Sequence, residues 1–381
     1  MKINCLLFAC LLQGFFLRAQ IGARYIDFSN RLEISLEKAT SKTPLSQSLH
    51  AVRVIDARDD TAAIGFYSVT RAEAQKYGLR AGTALKDKNA DAWSKIYHYA
   101  PSLEEGLGNW IGGYLQCRTG DPGKDNLLVV VKKFWLSYQA EKAGHDESGV
   151  SPAADGWDAG LLCKLDFYLE HDDGFYPLYR SDSLYTFKDP LYDYAGLHFV
   201  DNSAFFLETA LKNSLEKLFT TDFGKVTEKR KKYSLAEIRE ESLQKPLFPV
   251  LHAGVLNKGV YTNYEEFKNN APSIAAYEFR EGSMGDILYV KDNGSEYPTR
   301  TAWGYCDGIN IYINSGDKYS TLVRRGNAFY FYGIKGIARR SKLRFESWSG
   351  INFATNSGHK KSVYKINPRY LWLDLESGEV Y

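Results

Sequence analysis

The chain has 381 residues, 44% of them hydrophobic and 25% charged, with a formal net charge of +2. Domains average roughly 100–200 residues, so this length predicts two, and the near-balance of charge leaves no strong global field for nucleic acid or an anionic membrane surface. Twenty-seven tyrosines against 2 methionines lean toward half-exposed strand faces and away from a long-helix protein.

The first residues, MKINCLLFACLLQGFFLRAQ, read as a secretory signal. Lys2 supplies the charge, Leu6 to Leu17 the apolar segment, and Ala19 the cleavage site. A membrane span needs about 20 apolar residues; this segment is shorter, and no later stretch approaches that length. Leu7-Phe8-Ala9-Cys10 also looks like a lipobox, which would leave a lipid on Cys10. Outside the signal stand Cys117, Cys163 and Cys306. They form no CxxC pair, so a zinc ribbon or thioredoxin-type site has no support. Three buried free thiols is the favoured reading, with one disulfide plus one free thiol as the alternative.

RLEISLEKATSK (31–42) suits a short helix or a first strand. AVRVIDARDD reads as a strand, and Ala63 to Val69 as its hairpin partner. Residues 71–100 carry no clear pattern. Ser102 caps a helix LEEGLGNWIGGYLQ, with Glu105 closing a capping box and Leu103, Leu107, Trp110, Ile111 and Tyr114 on its apolar side. Gly106, Gly108, Gly112 and Gly113 weaken that helix by about 1 kcal/mol each relative to Ala, so it needs tertiary packing.

NLLVVVKKFWLSYQ is the central strand of the first half, and 144–158 is a turn-rich loop. In AGLLCKLDFYLE, Leu161, Cys163, Leu165, Phe167 and Leu169 share an apolar face, while Leu162, Lys164, Asp166 and Tyr168 share the other. His171-Asp172-Asp173-Gly174 turns the chain into FYPLYRSDSLYTF. A helix follows from Ser203 to Phe219, with Leu207, Leu211, Leu215 and Phe219 at every fourth position. This order predicts an α+β fold: an N-terminal antiparallel sheet with packed helices over 20–224, then a β-rich C-terminal domain of hairpins over 249–381. On VRVIDARDDTAAIG and FFLETALKNSLEKLF the first half resembles YajG-like and ABC-transporter auxiliary lipoproteins of bacterial envelopes. That resemblance implies architecture and no activity. Residues 225–248 read as a charged linker helix between the two domains.

In the second domain, Thr262 or Asn263 caps a short helix holding Tyr264 and Phe267, which Pro272 ends. Asp292-Asn293-Gly294, Asp307-Gly308 and Arg325-Gly326-Asn327 are turns, with Asp307-Gly308 expected as a two-residue type I′ hairpin. INIYIN alternates Ile309, Ile311 and Ile313 against Asn310, Tyr312 and Asn314, and AFYFYG sets Phe329 and Phe331 against Tyr330 and Tyr332. KGVYTNYEEFKNNAPS, AWGYCDGINIYI and the terminal LDLESGEVY resemble a module of secreted, mostly uncharacterised proteins of Bacteroidetes-type bacteria. The resemblance implies envelope export and supplies no catalytic residues.

Chemistry is sparse. No GxSxG, GxGxxG or GxxxxGK[ST] is present, and nothing predicts a cofactor, a metal or a catalytic residue. The carboxylate clusters His145-Asp146-Glu147, His171-Asp172-Asp173 and Asp189 with Asp193 suit turns, although a pair across a cleft would suit a secreted hydrolase of glycan or peptidoglycan. Asp60-Thr61-Ala62 and Asp182-Ser183-Leu184 resemble O-glycan acceptor tripeptides. The basic run Lys335, Arg339, Arg340, Lys342, Arg344 suits a solvated surface or an anionic contact. The leading expectation is a non-enzymatic binding or assembly protein of the envelope. Its aromatic face of Trp303, Tyr305, Tyr312, Tyr330 and Tyr332 would meet an envelope protein or a glycan.

Overall fold

The computed structural model describes residues 31–36, 39, 49–70, 92–100, 102–117, 125–140, 157–189, 195–243, 248–280, 287–292, 294–299, 301–315, 319–333 and 369–381. The expected signal segment, residues 144–156, Asp193, Asn293 and the basic run after Lys335 lie outside them. The described residues form a strand-rich α+β protein. They divide into two units, one within 31–243 and one within 248–381, and each unit has its own core. No described helix is long and apolar enough to cross a membrane.

The first unit is built on one sheet. Its strands are β1 (Arg31–Ile34), β2 (Val52–Asp56), β3 (Gly65–Thr70), β4 (Ala92–Tyr99), β5 (Asn126–Ala140), β6 (Trp157–His171) and β7 (Gly174–Asp189). They run in the order β1-β4-β3-β5-β6-β7, with β2 also paired to β5. The sheet is mixed rather than antiparallel, because β1 runs parallel to β4 and both β2 and β3 run parallel to β5. The expected hairpin between β2 and β3 therefore does not form. Arg58 fixes the link between them, donating to the Asp56 carboxylate and to the carbonyls of Thr61 and Ala63. A buried guanidinium with five fixed donors can hold such a crossover without a regular turn.

Helix α1 (Leu103–Tyr114) starts where the sequence places it, with Ser102 Oγ accepting the Glu105 N–H at 3.1 Å. Leu103, Leu107, Trp110 and Ile111 are buried in one core with the Leu161 to Leu169 face of β6, and Tyr114 packs at its edge, partly buried. Helix α2 (Ala195–Leu215) begins earlier than the leucine repeat predicts and runs into a 3-10 turn, Glu216–Thr220. Leu207, Leu211 and Leu215 join the same core. The expected linker helix is instead two short helices packed on this unit, α3 (Phe223–Lys229) and α4 (Leu235–Leu243). Phe223 and Val226 enter the main core, and Ile238 packs with Leu128, Val130 and Tyr168 on the opposite sheet face. Few apolar residues in a charged stretch suffice when each fills a socket.

The second unit opens with α5 (Pro249–His252), β8 (Gly259–Tyr261) and α6 (Tyr264–Lys268). Three small sheets follow. One is β9 (Ala276–Arg280), β10 (Ile287–Asp292) and β11 (Ser295–Thr299), in the order β11-β10-β9. The second joins β8 to β12 (Gly304–Cys306), β13 (Ile311–Asn314) and β14 (Tyr319–Thr321), in the order β14-β13-β12-β8. The third is β15 (Val323–Arg325), β16 (Ala328–Gly333) and β17 (Arg369–Leu373). Cys306, Ile311 and Ile313 face a core with Tyr261, Phe267, Trp303, Phe329 and Leu373.

The hairpin at Asp307-Gly308 has four loop residues, because Cys306 pairs with Ile311. Asp307 Oδ1 accepts the N–H groups of Ile309 and Asn310 at 2.8 and 2.7 Å, and Gly308 takes φ +98°. Aspartate closes the turn with its own side chain. Ile309 therefore leaves the expected strand face and is 71% exposed. The described cysteines, Cys117, Cys163 and Cys306, are free thiols.

Candidate functional site

Alternation along β12 and β13 decides what the aromatic residues can do. Where Cys306 and Ile311 point into the core, Tyr305 and Tyr312 point the other way. They are direct cross-strand partners, stacked at 4.4 Å with their planes 8° apart. Non-consecutive neighbours complete the group. Phe279 lies 4.9 Å, Tyr319 5.2 Å and Tyr277 5.5 Å from the Tyr305 ring. Each is tilted or edge-on, as ring quadrupoles prefer. Below them Val260, Leu288, Val290 and Ala302 form a dry floor.

The polar atoms of this seam are ordered. The Tyr277 hydroxyl donates to the Cys306 carbonyl at 2.9 Å, and the Tyr312 hydroxyl donates to Asp307 Oδ2 at 3.0 Å. Lys258 Nζ stands 5.8 Å from the Tyr277 ring centroid. Burial, reinforced by the bond to Asp307, pushes the Tyr312 phenol up to about 12. Burial also raises Tyr305, Tyr277 and Tyr319. All four hydroxyls stay protonated at neutral pH; those of Tyr277 and Tyr312 are spent on acceptors within the seam and that of Tyr319 is buried, so the seam presents mainly ring faces and edges. Phe279 remains 38% exposed at its rim.

The five expected platform residues therefore separate. Tyr305 and Tyr312 stay together and half-buried. Trp303 turns into the core and stacks on Phe267 at 4.3 Å. Tyr330 and Tyr332 are buried at 0% and 7% exposure, which removes them from an outward face. Strand β16 lies between β15 and β17 and is buried on both faces, so its alternation of Phe and Tyr marks no solvent side. Tyr277, Phe279 and Tyr319 were not singled out in the sequence. AYEFR in β9 carried the signal for two of them, a period-two alternation of rings with Glu278 and Arg280.

In the described cluster His171-Asp172-Asp173, His171 and Asp173 have structural partners. His171 Nδ1 meets Asp125 Oδ1 at 2.6 Å, and that bond holds the imidazole pKa above its ordinary value. Asp173 accepts the Tyr176 hydroxyl and pairs with Lys232 at 3.1 Å. Among the described residues no three His, Cys, Asp or Glu side chains gather as metal ligands.

No protein-family model matches the chain, and no curated protein does. A solved structure, described as the crystal structure of an uncharacterized protein, is similar to it at 13% identity. The match spans 49% of this chain and 98% of the other, with a TM-score of 0.24.

Proposed function

We propose that this is an exported bacterial envelope protein with a non-enzymatic binding role. In this reading a helix-packed N-terminal domain is followed by a hairpin-rich C-terminal domain, whose Tyr305–Tyr312 seam meets a protein or glycan partner. The observation that carries the reading is the half-buried stack of Tyr305 and Tyr312, rimmed by the exposed edge of Phe279. Preordered rings cost little entropy to bind against, and amphipathic tyrosines suit partners with both apolar and hydroxyl surfaces. The signal-like N-terminus and the likeness to secreted Bacteroidetes-type proteins supply the export part of the proposal.

The test is cross-linking in cells that express the tagged mature protein, paired with a glycan array. Phe279→Ala removes an exposed ring edge and leaves the dry floor in place. It is expected to weaken capture of the partner about tenfold, the scale of one interface aromatic. Equal capture by the variant and the parent would remove the seam from the reading. Recovery of the tagged protein from the cytoplasm with its first 19 residues intact would remove export.

A further inference from the structure

A cleft of about 920 Å³ lies in the first unit along α1 and β2. The fold brings its walls together from separate stretches of chain. Helix α1 supplies Gly106, Gly108 and Gly112, β2 supplies Val52 and Val54, and Leu36 comes from just beyond β1. The glycines keep this space open. A Cβ on Gly108 would stand 3.7 Å from the Val52 carbonyl oxygen, and one on Gly112 would stand 3.9 Å from Val52 Cγ2. One carbon fits there at ordinary contact distance, and a longer side chain would fill the cleft.

Two residues of the lining carry polar atoms that nothing satisfies. Trp110 is 2% exposed, and its indole N–H has no acceptor among the described residues. Its ring stacks on Tyr114 with centroids 5.3 Å apart, which holds the indole in place. His50 Nδ1 is also buried without a partner, and both residues line the cleft. Leaving such a group unbonded costs about 1–3 kcal/mol, and buried side-chain polar atoms are bonded in the large majority of cases. The other polar groups of the lining are committed or exposed. The Tyr99 hydroxyl accepts the Leu36 N–H at 3.3 Å, Glu104 Oε1 accepts the Asp56 N–H at 2.8 Å, and Arg53 pairs with Glu170. Glu104 and Glu105 are exposed carboxylates of the same lining, and they disfavour an anionic ligand.

We propose that this cleft binds a neutral small molecule with an apolar body and a carboxamide group, whose carbonyl oxygen accepts the Trp110 indole N–H. The volume falls in the range of small-molecule sites, about 300–1,000 Å³, and such sites pair apolar walls with a few polar groups. An amide carries an acceptor and a donor, so it suits the indole and also suits His50 Nδ1 in either tautomer. Cys117 lines the cleft as well, and burial pushes its thiol up to about 11. A thiol that stays protonated is a poor nucleophile, so the site holds its ligand without a covalent bond.

The experiment uses the full mature chain labelled with ¹⁵N in its tryptophan indoles, and Trp110→Phe identifies the resonance of interest. The probe is cyclohexanecarboxamide, which has no ring current, and cyclohexane is the same body without the amide. The amide is expected to move the Trp110 indole proton downfield and saturably, as a new hydrogen bond does, and to leave the other indoles in place. Cyclohexane should not produce that downfield shift. Gly112→Leu should fill the cleft and weaken the response at least tenfold, with the other indole resonances unchanged as the sign of an intact fold. The proposal fails if the amide leaves the Trp110 proton unmoved up to its solubility limit, a result the parent chain gives without any variant. It also fails if cyclohexane reproduces the downfield shift, or if folded Gly112→Leu responds as the parent does.

Discussion

The residues that make KGVYTNYEEFKNNAPS distinctive close a loop with bonds among themselves. Asn263 Oδ1 accepts the Glu266 N–H at 3.0 Å. The Glu266 carboxylate in turn accepts from Thr262 N at 2.8 Å and from Ser273 N and Oγ at 3.2 and 3.0 Å. Asn270 sits at φ +50°, and its Oδ1 accepts from Asn257 N and the Tyr261 hydroxyl. A Cβ on Gly259, at φ +153°, would stand 2.7 Å from the Ile274 carbonyl oxygen. Capping chemistry was legible in the sequence because Asn263 and Glu266 stand three apart ahead of apolar residues. The contacts to Ser273 were not, since they cross Pro272 and depend on the path of the chain. Burial works against ionising Glu266, yet the Thr262 and Ser273 bonds prevail and its pKa falls below the ordinary value. Glu266→Gln is expected to destabilise the second unit by about 1–3 kcal/mol at pH 7, the scale of charge-assisted bonds and unmet donors. Denaturant unfolding checks this; an unchanged midpoint would refute it.

At the scale of elements, α1 shows what glycines in a helix are for. Gly106 faces Tyr99, where an added Cβ would come within 1.8 Å of the ring. Tyr99 is itself buried, and its hydroxyl accepts from the Leu36 N–H at 3.3 Å, so the ring has little room to retreat. Gly108, one turn-face away, meets only ordinary contacts at 3.7 and 3.8 Å from β2. Gly106→Ala should therefore cost roughly 1–3 kcal/mol as overpacking. Gly108→Ala should stabilise the first unit by about 0.5–1 kcal/mol through helix propensity. Thermal unfolding of the two variants separates them, and the account is wrong if both move in the same direction. The sequence showed the helix, its cap and its buried side, because these follow a local period of 3.6. It could not rank the glycines, because nothing in the local pattern shows that the Tyr99 ring, at the end of β4, packs against Gly106 and not against Gly108. The same limit explains the aromatic platform. Alternation placed Tyr305 and Tyr312 correctly away from Cys306, but nothing local revealed that β16 would be covered on both faces.

For the whole molecule, two cores predict two unfolding events. The Leu107–Leu165–Leu211 core and the Phe267–Ile313–Leu373 core are each closed by residues of one unit, and cooperativity follows such contiguous packing. Calorimetry should resolve two transitions, with Gly106→Ala lowering one and Glu266→Gln lowering the other. Their pH responses should also differ in sign. The His171 pKa is raised by Asp125, so its contribution to the first unit is present below the unfolded imidazole pKa and is lost as pH rises through the folded value. That contribution is small, because the ring is 46% exposed and screened by solvent. The Glu266 pKa is depressed, so its contribution to the second unit is present above the unfolded carboxyl pKa and is lost as pH falls through the folded value. His171→Gln should flatten the first transition between about pH 6 and 8, around the ordinary imidazole value, and leave the second unmoved. Glu266→Gln should remove part of the acid sensitivity of the second transition alone. A single transition that shifts as one with either substitution would mean that the two cores unfold as one cooperative body.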